Sequence, residues 1–231
     1  APQLSFVPAK CIGCGYCFGV CERGGHVLAD GVHKLERGRC VACGACVQEC
    51  YAQALELVGR EATVDEVLAE VRRDEPFYQT SGGGMTLSGG EPTAQPKFAG
   101  ALLRQAHAEG IHTAVETNGA APWAVYDGIM TWTDLFLFDW KETDPERHRE
   151  FTGVSNTEIR RTLLRLVAAG ADVVLRCPIV PGLNDRDDHF DGIAALAHEA
   201  GRLQGVELMP YHRLGESKVE RFGLDAPERL S

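Results

Sequence analysis

No run of apolar residues in this 231-residue sequence reaches the roughly 18–20 that a membrane-spanning helix requires, which argues against a transmembrane role. Surplus positive charge is missing too. Against 33 Asp and Glu stand only 23 Lys and Arg, and the formal charge of −10 argues against binding to nucleic acid or an anionic membrane. Nothing at the start of the chain reads as a signal peptide. No nucleophilic triad stands out, and the Gly-rich segment at residues 82–90 lacks the Lys-Ser/Thr pair of a phosphate-binding loop. What is present is the composition of a folded protein, 44% hydrophobic and 24% charged, with 26 glycines spread through turns and nine cysteines.

The cysteines are not scattered. Eight fall in two copies of one spacing, Cys11-x-x-Cys14-x-x-Cys17-x-x-x-Cys21 and Cys40-x-x-Cys43-x-x-Cys46-x-x-x-Cys50, leaving Cys177 in an apolar strand. Disulfide frameworks seldom repeat a four-cysteine motif so tightly, so bound metal in a reducing, cytoplasmic compartment fits better. Three thiolates separated by two residues each can wrap one face of an iron–sulfur cube, while the fourth points towards a second cube. The spacing resembles the two-cluster ferredoxin pattern. That pattern implies one 4Fe–4S site from Cys11, Cys14, Cys17 and Cys50, and another from Cys40, Cys43, Cys46 and Cys21. Small residues between the ligands (Gly13, Gly15, Ala42, Gly44 and Ala45) let backbone N–H groups approach the sulfurs. The pattern usually has Pro after each fourth cysteine, whereas Glu22 and Tyr51 follow here, a departure that removes no ligand. Zinc is the alternative, but zinc motifs seldom use three-plus-one spacing.

Residues 1–58 read as an extended lead-in and the cysteine-bearing insert, and residues 59–231 as alternating helices and strands. Helices are expected at Thr63 to about Arg73, with Thr63 and Glu66 as a capping pair, and around Lys97–Ala108, after Pro122, at Thr157–Ala169 and around Asp188–Ala200. Strands are expected at Met85–Ser88, Ile111–Glu116, Leu135–Lys141, Asp172–Pro178 and Val206–Tyr211. Strands separated by helices of this length make right-handed βαβ units and hence an α/β fold with a parallel sheet. Periodicity does not say whether that sheet closes.

The unusual residues sit at or just past strand C-termini: Glu91, Glu116, Asp139, Lys141, Arg176 and His212. In parallel α/β folds that edge carries the active site. Gly89 and Gly90 allow close approach of a ligand to the backbone, and Glu91 adds an anion, a combination suited to an ammonium group; a plain tight turn is the alternative. Asp139 and Lys141 project to one face and Trp140 to the other, and a simple ion pair would also account for the first two. His212 alone would more often be a surface histidine.

The runs GGGMTLSGGEP, ETNG, DLFLFDWK, FTGVSN, LRCPIVPGLND and ELMPYHRLGESK, in that order, resemble the activating enzymes of glycyl radical enzymes, pyruvate formate-lyase activase-like members of the radical S-adenosylmethionine superfamily that carry a two-cluster ferredoxin insert. The resemblance covers essentially the whole chain. It implies a partial (β/α)6 barrel that binds S-adenosylmethionine at its strand ends. It further implies that Gly89, Gly90 and Glu91 receive the methionine amino group, Lys141 its carboxylate and His212 the ribose. Glu116, Thr117, Asp139 and Met209 match positions that hold a monovalent cation, Thr117 and Met209 through backbone carbonyls, with Glu116 standing where an aspartate is usual. Arg176 matches a position near the glycyl-loop substrate. The implied partners are a glycyl radical enzyme and a flavodoxin or ferredoxin reductant.

The family's catalytic cluster is bound by a CxxxCxxC motif on the loop after the first barrel strand, and that spacing occurs nowhere in these residues. The expectation is therefore a chain without the first strand and without the third 4Fe–4S cluster of the intact protein, inactive by itself. Rival readings are another radical S-adenosylmethionine enzyme with a different substrate, a non-catalytic iron–sulfur electron-transfer protein, and a scaffold that only docks a partner.

Overall fold

The computed structural model describes residues 2–211, 219 and 221–223, which divide into two compact units: residues 2–62 with 219 and 221–223, and residues 63–211.

In the first unit, β1 (Gln3–Phe6) runs antiparallel to β4 (Leu55–Val58), with Gln3 opposite Val58 and Phe6 opposite Leu55. The pair clamps the two ends of the cysteine-bearing stretch. Leu4, Phe6, Ala54 and Leu55 bury together with Cys17 and Cys46, so two thiols are part of a small core. Cys17 is carried by the one-turn helix α1 (Tyr16–Val20). Between the two cysteine sets, β2 (His26–Ala29) and β3 (Val32–Leu35) form a hairpin. Its two-residue turn, Asp30-Gly31, has both φ angles positive, 57° and 76°, as the type I′ turn requires. Arg37 donates to the Leu4 carbonyl (2.9 Å) and Arg221 to Ser5 Oγ (3.0 Å), fastening late residues to this unit.

The second unit alternates helix and strand. After α2 (Val64–Val71) come α3 (Glu75–Ser81), β5 (Gly84–Leu87), α4 (Pro96–Ala108), β6 (His112–Thr117), α5 (Trp123–Ile129), β7 (Leu135–Asp139), α6 (Pro145–Thr152), α7 (Thr157–Ala168), β8 (Val173–Ile179), α8 (Asp187–Ala200) and β9 (Gly205–Pro210). The capping pair at α2 is reciprocal: Glu66 N donates to Thr63 Oγ1 (3.2 Å) and Thr63 N to Glu66 Oε2 (2.7 Å). All five strands are parallel, in the order β5-β6-β7-β8-β9, and the sheet is open, with β5 and β9 at its edges. Val115, Phe136, Phe138, Val173 and Leu175 from the central strands join Leu102, Leu103, Leu163 and Leu166 of the helices in one buried core. No helix among the described residues is long and apolar enough to cross a membrane.

Two helices of the second unit have no counterpart in the sequence reading. No α3 residue is buried and only His148 of α6 is, so neither offers an apolar stripe to read. The cap of α6 is nonetheless written in the sequence, since Asp144 Oδ1 accepts from the amides of Glu146 and Arg147, and Pro145 fills the first turn.

Candidate functional site

Where β5, β6 and β7 end, the chain encloses a recess of about 220 Å³ lined by Ser88, Gly89, Gly90, Glu91, Glu116, Thr117, Asn118, Asp139 and Lys141. Seven sequence-expected residues thus meet in one place: Gly89, Gly90, Glu91, Glu116, Thr117, Asp139 and Lys141. Met209 lies on the edge strand β9, opposite Pro178, and is not among the lining residues. Arg176 sits mid-strand in β8 rather than at its tip, because β8 runs on to Ile179. Its register partner is Asp139, and its Nη1 lies 2.9 Å from Glu116 Oε1. His212 is outside the described residues.

Glu91 is engaged by the protein itself. Its Oε1 accepts from Thr93 N (3.1 Å), Thr93 Oγ1 (2.7 Å) and Thr117 Oγ1 (2.9 Å), while Oε2 accepts from Asn118 N (2.8 Å). The carboxylate therefore braces the tip of β5 against the tip of β6. What the β5 turn offers a ligand is chiefly backbone. Gly89 has φ +109°, and no atom comes within 4 Å of where a Cβ would stand at Gly89 or Gly90, so a ligand can lie against both. Thr117 Oγ1 also hydrogen-bonds the Tyr126 hydroxyl at 3.1 Å, burying the brace. Opposite, Lys141 Nζ donates to Asp139 Oδ2 at 3.1 Å, with both side chains still partly exposed, so a solvated pair this loose leaves the ammonium open to a ligand anion.

Beneath Lys141 lies a fully buried acid that the sequence reading did not single out. Glu142 Oε1 accepts from the amides of Thr143 (2.8 Å) and Asp144 (3.1 Å) and lies 3.3 Å from His189 Nδ1; Arg186 reaches both carboxylate oxygens at 3.2 Å. Burial alone would push Glu142 up, but Arg186, the two amides and His189 outweigh it and hold the carboxyl below its ordinary value. Burial pushes His189 down as well, against the pull of Glu142. Asn184 Nδ2 donates to the Lys141 carbonyl (2.8 Å) and Asn156 Nδ2 to the Glu142 carbonyl (2.8 Å). The loop bearing Lys141 is thus fixed from below. Cys177 is buried in β8, where burial, and secondarily Asp139, push its thiol up to about 12, so it is no thiolate ligand.

In the first unit the cysteines line two cavities. One of about 670 Å³ is bordered by Cys11, Cys14, Cys17 and Cys50, with Cys46 on its wall. The other, about 360 Å³, is bordered by Cys21, Cys40, Cys43 and Cys46. Burial pushes the Cys46 thiol up to about 11, with Cys40 adding to it, and burial likewise raises Cys17, with Cys11 and Cys14 adding to it. Thiols crowded so that each opposes its neighbour's ionisation suit a cationic metal core, which removes the opposition. Gly25 N donates to Cys21 Sγ at 3.2 Å, the backbone-to-sulfur contact that small residues permit. Two histidines of the β2–β3 hairpin also reach this region: His26 Nδ1 and His33 Nε2 are 2.9 Å apart, and burial lowers both imidazoles. Only their place between the two cysteine sets could have flagged them.

Two models of known protein families match the chain. The model of a 4Fe-4S dicluster domain matches residues 3–51, and that of the Radical SAM superfamily residues 37–192. The isethionate sulfite-lyase activating enzyme of Nitratidesulfovibrio vulgaris is 41% identical over 232 residues, covering 97% of this chain and 75% of that one. The choline trimethylamine-lyase activating enzyme of Oleidesulfovibrio alaskensis is 37% identical over 231 residues, covering 97% and 74%. Among solved structures, a domain of the pyruvate-formate lyase-activating enzyme of Bacteroides vulgatus superimposes with TM-score 0.53 at 28% identity, covering 62% of this chain and 92% of that domain.

Proposed function

The chain belongs to the radical SAM superfamily and, within it, to the activating enzymes of glycyl radical enzymes, and from that premise we propose that its strand-tip recess holds the methionine end of S-adenosylmethionine. When bound, the cofactor supplies reductive C–S cleavage and, through it, hydrogen-atom abstraction from a glycine Cα of the partner enzyme. The chain's own residues bind and orient. Convergence of open glycine backbone with Lys141 across one recess carries the reading. At about 220 Å³ the recess is smaller than the ~300–1,000 Å³ of sites that enclose a whole drug-sized ligand. It suits an amino-acid head rather than a nucleoside.

The backbone of Gly89 and Gly90 accepts the ammonium, and Glu91 holds that backbone in place. Lys141 exchanges its contact with Asp139 for the ligand carboxylate. His212 serves the ribose by family position alone. Glu116 and Asp139, with the carbonyls of Thr117 and Met209, would take the monovalent cation, but Arg176 already pairs with Glu116. We therefore place the cation's arrival together with the turning of Arg176 towards the glycyl-loop substrate. The two cysteine cradles would hold two 4Fe–4S clusters, which would supply an electron relay from a flavodoxin or ferredoxin. The CxxxCxxC spacing is not among these residues, so binding without cleavage is the expected behaviour of this chain.

Equilibrium dialysis with labelled S-adenosylmethionine tests the recess. Lys141→Ala is expected to weaken binding about tenfold, the ~1.4 kcal/mol of one charge-assisted contact. Identical affinities for the two proteins would remove the carboxylate assignment, and cleavage by the unmodified chain would overturn the expectation of binding alone.

A further inference from the structure

His26 and His33 form a hydrogen-bonded pair between the two cysteine cavities, and neither cofactor assigns them a role. They sit on one face of the β2–β3 hairpin: His33 lies opposite Leu28, two residues along the strand from His26. His26 borders the cavity of Cys21, Cys40 and Cys43, whereas His33 borders that of Cys11, Cys14 and Cys50. Phe6 and Phe18 hold the His33 ring at centroid distances of 4.5 and 4.9 Å.

One proton on each ring suffices to satisfy the arrangement. His33 Nδ1 lies 3.5 Å from Cys11 Sγ. A thiolate only accepts, so the proton belongs on Nδ1. His33 Nε2 is then an acceptor, and His26 Nδ1, 2.9 Å away, is the donor that satisfies it. His33 Nε2, which carries no proton in this tautomer, lies 3.9 Å from Cys17 Sγ, so the N–H of this imidazole is directed at Cys11 alone.

We propose that His33, held by His26, is a positioning residue that raises the reduction potential of the cluster in the Cys11, Cys14, Cys17 and Cys50 cradle relative to its neighbour. The reason is electrostatic. An N–H aimed at a ligand sulfur withdraws electron density and stabilises the more negative, reduced cluster. Among the described residues the pair's sulfur contacts are to Cys11 and Cys17 alone, so the effect falls on one cluster. Cys17, His26 and His33 could also be read as a mononuclear metal site. Cys17 also lines the cavity of Cys11, Cys14 and Cys50, which favours the cluster.

The inference rests on the two-cluster reading, and the test separates the two. In the reconstituted full chain, EPR-monitored redox titration gives a midpoint potential for each cluster. His33→Phe keeps the ring packing and removes the N–H. It is expected to move one midpoint to a more negative value and leave the other in place, with iron content unchanged; His33→Gln, which restores an N–H, recovers part of the shift. Should His33→Phe lose a cluster, His26→Phe leaves His33 in place and gives a smaller shift of the same sign. Two midpoints unmoved in every variant overturn this inference and leave the cluster reading intact. A parent chain that takes up no iron and sulfide overturns both. Stoichiometric zinc that disappears in the His26 and His33 variants alike overturns the inference in favour of the mononuclear site.

Discussion

Glu142 has no solvent exposure, yet it follows directly the lysine that lines the recess. Replacing it with Ala would leave two amides and the Arg186 guanidinium without their acceptor. Removing one partner of a buried pair costs about 3–5 kcal/mol. Glu142→Ala is thus expected to lower the urea midpoint markedly and, through the freed loop, to weaken S-adenosylmethionine binding; an unchanged midpoint would contradict the buried network. The same residues set a pH dependence. Glu142 and His189 both have folded-state pKa values below their ordinary 4.5 and 6.5, so the unfolded chain binds more protons and stability is lost as the pH is lowered. The His189 share is complete above about 6.5 and fades as pH drops through its lower folded value; the Glu142 share is lost below about 4.5. Urea midpoints should hold from pH 7.5 to about 6.5 and decline from there down to about pH 4, and His189→Gln should flatten the upper part of that decline. A rise between pH 6.5 and 5 would refute the sign.

At the scale of elements, the turn from β6 to α5 depends on Gly119. Its φ is +74°, and a Cβ there would stand 2.2 Å from Phe138 Cζ and 3.0 Å from Ile159 Cγ2. Gly119→Ala combines left-handed backbone with overpacking of a buried ring, an expected cost of about 2–4 kcal/mol. A melting temperature within a degree of the parent would show that the turn can relax. The five strands were legible because each is a short apolar run bounded by glycine or a polar turn, and the boundaries differ by one or two residues at most, as at β7, which ends at Asp139 rather than Lys141. By contrast, α3 and α6 were not legible, since packing reads through apolar faces and these helices bury almost nothing. Recess residues could be read from the sequence because they cluster at strand ends. Glu142 and His189 could not, because Glu142 meets Arg186 and His189 only through the fold, which brings distant parts of the chain together.

Across the whole chain, the least local feature is how the eight cysteines divide. Sequence order would group Cys11 to Cys21 and Cys40 to Cys50 as two separate sets. The cavities group them otherwise, exchanging the fourth cysteines: Cys50 borders the cavity of the first three cysteines, and Cys21 that of Cys40 and Cys43. The exchange follows from the β1–β4 pairing, which returns the end of the second set beside the start of the first. Iron content after reconstitution distinguishes the two groupings. With crossed ligands, Cys11→Ser with Cys50→Ser damages one cradle only, leaving about four irons of about eight, whereas Cys11→Ser with Cys21→Ser damages both. With sequential ligands the outcomes exchange places: the Cys11 and Cys21 pair then retains one cluster and the Cys11 and Cys50 pair neither. Since each protein carries two substitutions, the comparison is between equals, and a general loss of folding would lower both iron contents rather than invert their order. The crossed arrangement predicts more iron in the Cys11 and Cys50 variant. Equal or lower iron there means that β1 and β4 do not bring the two cysteine sets together in the way the cavities require.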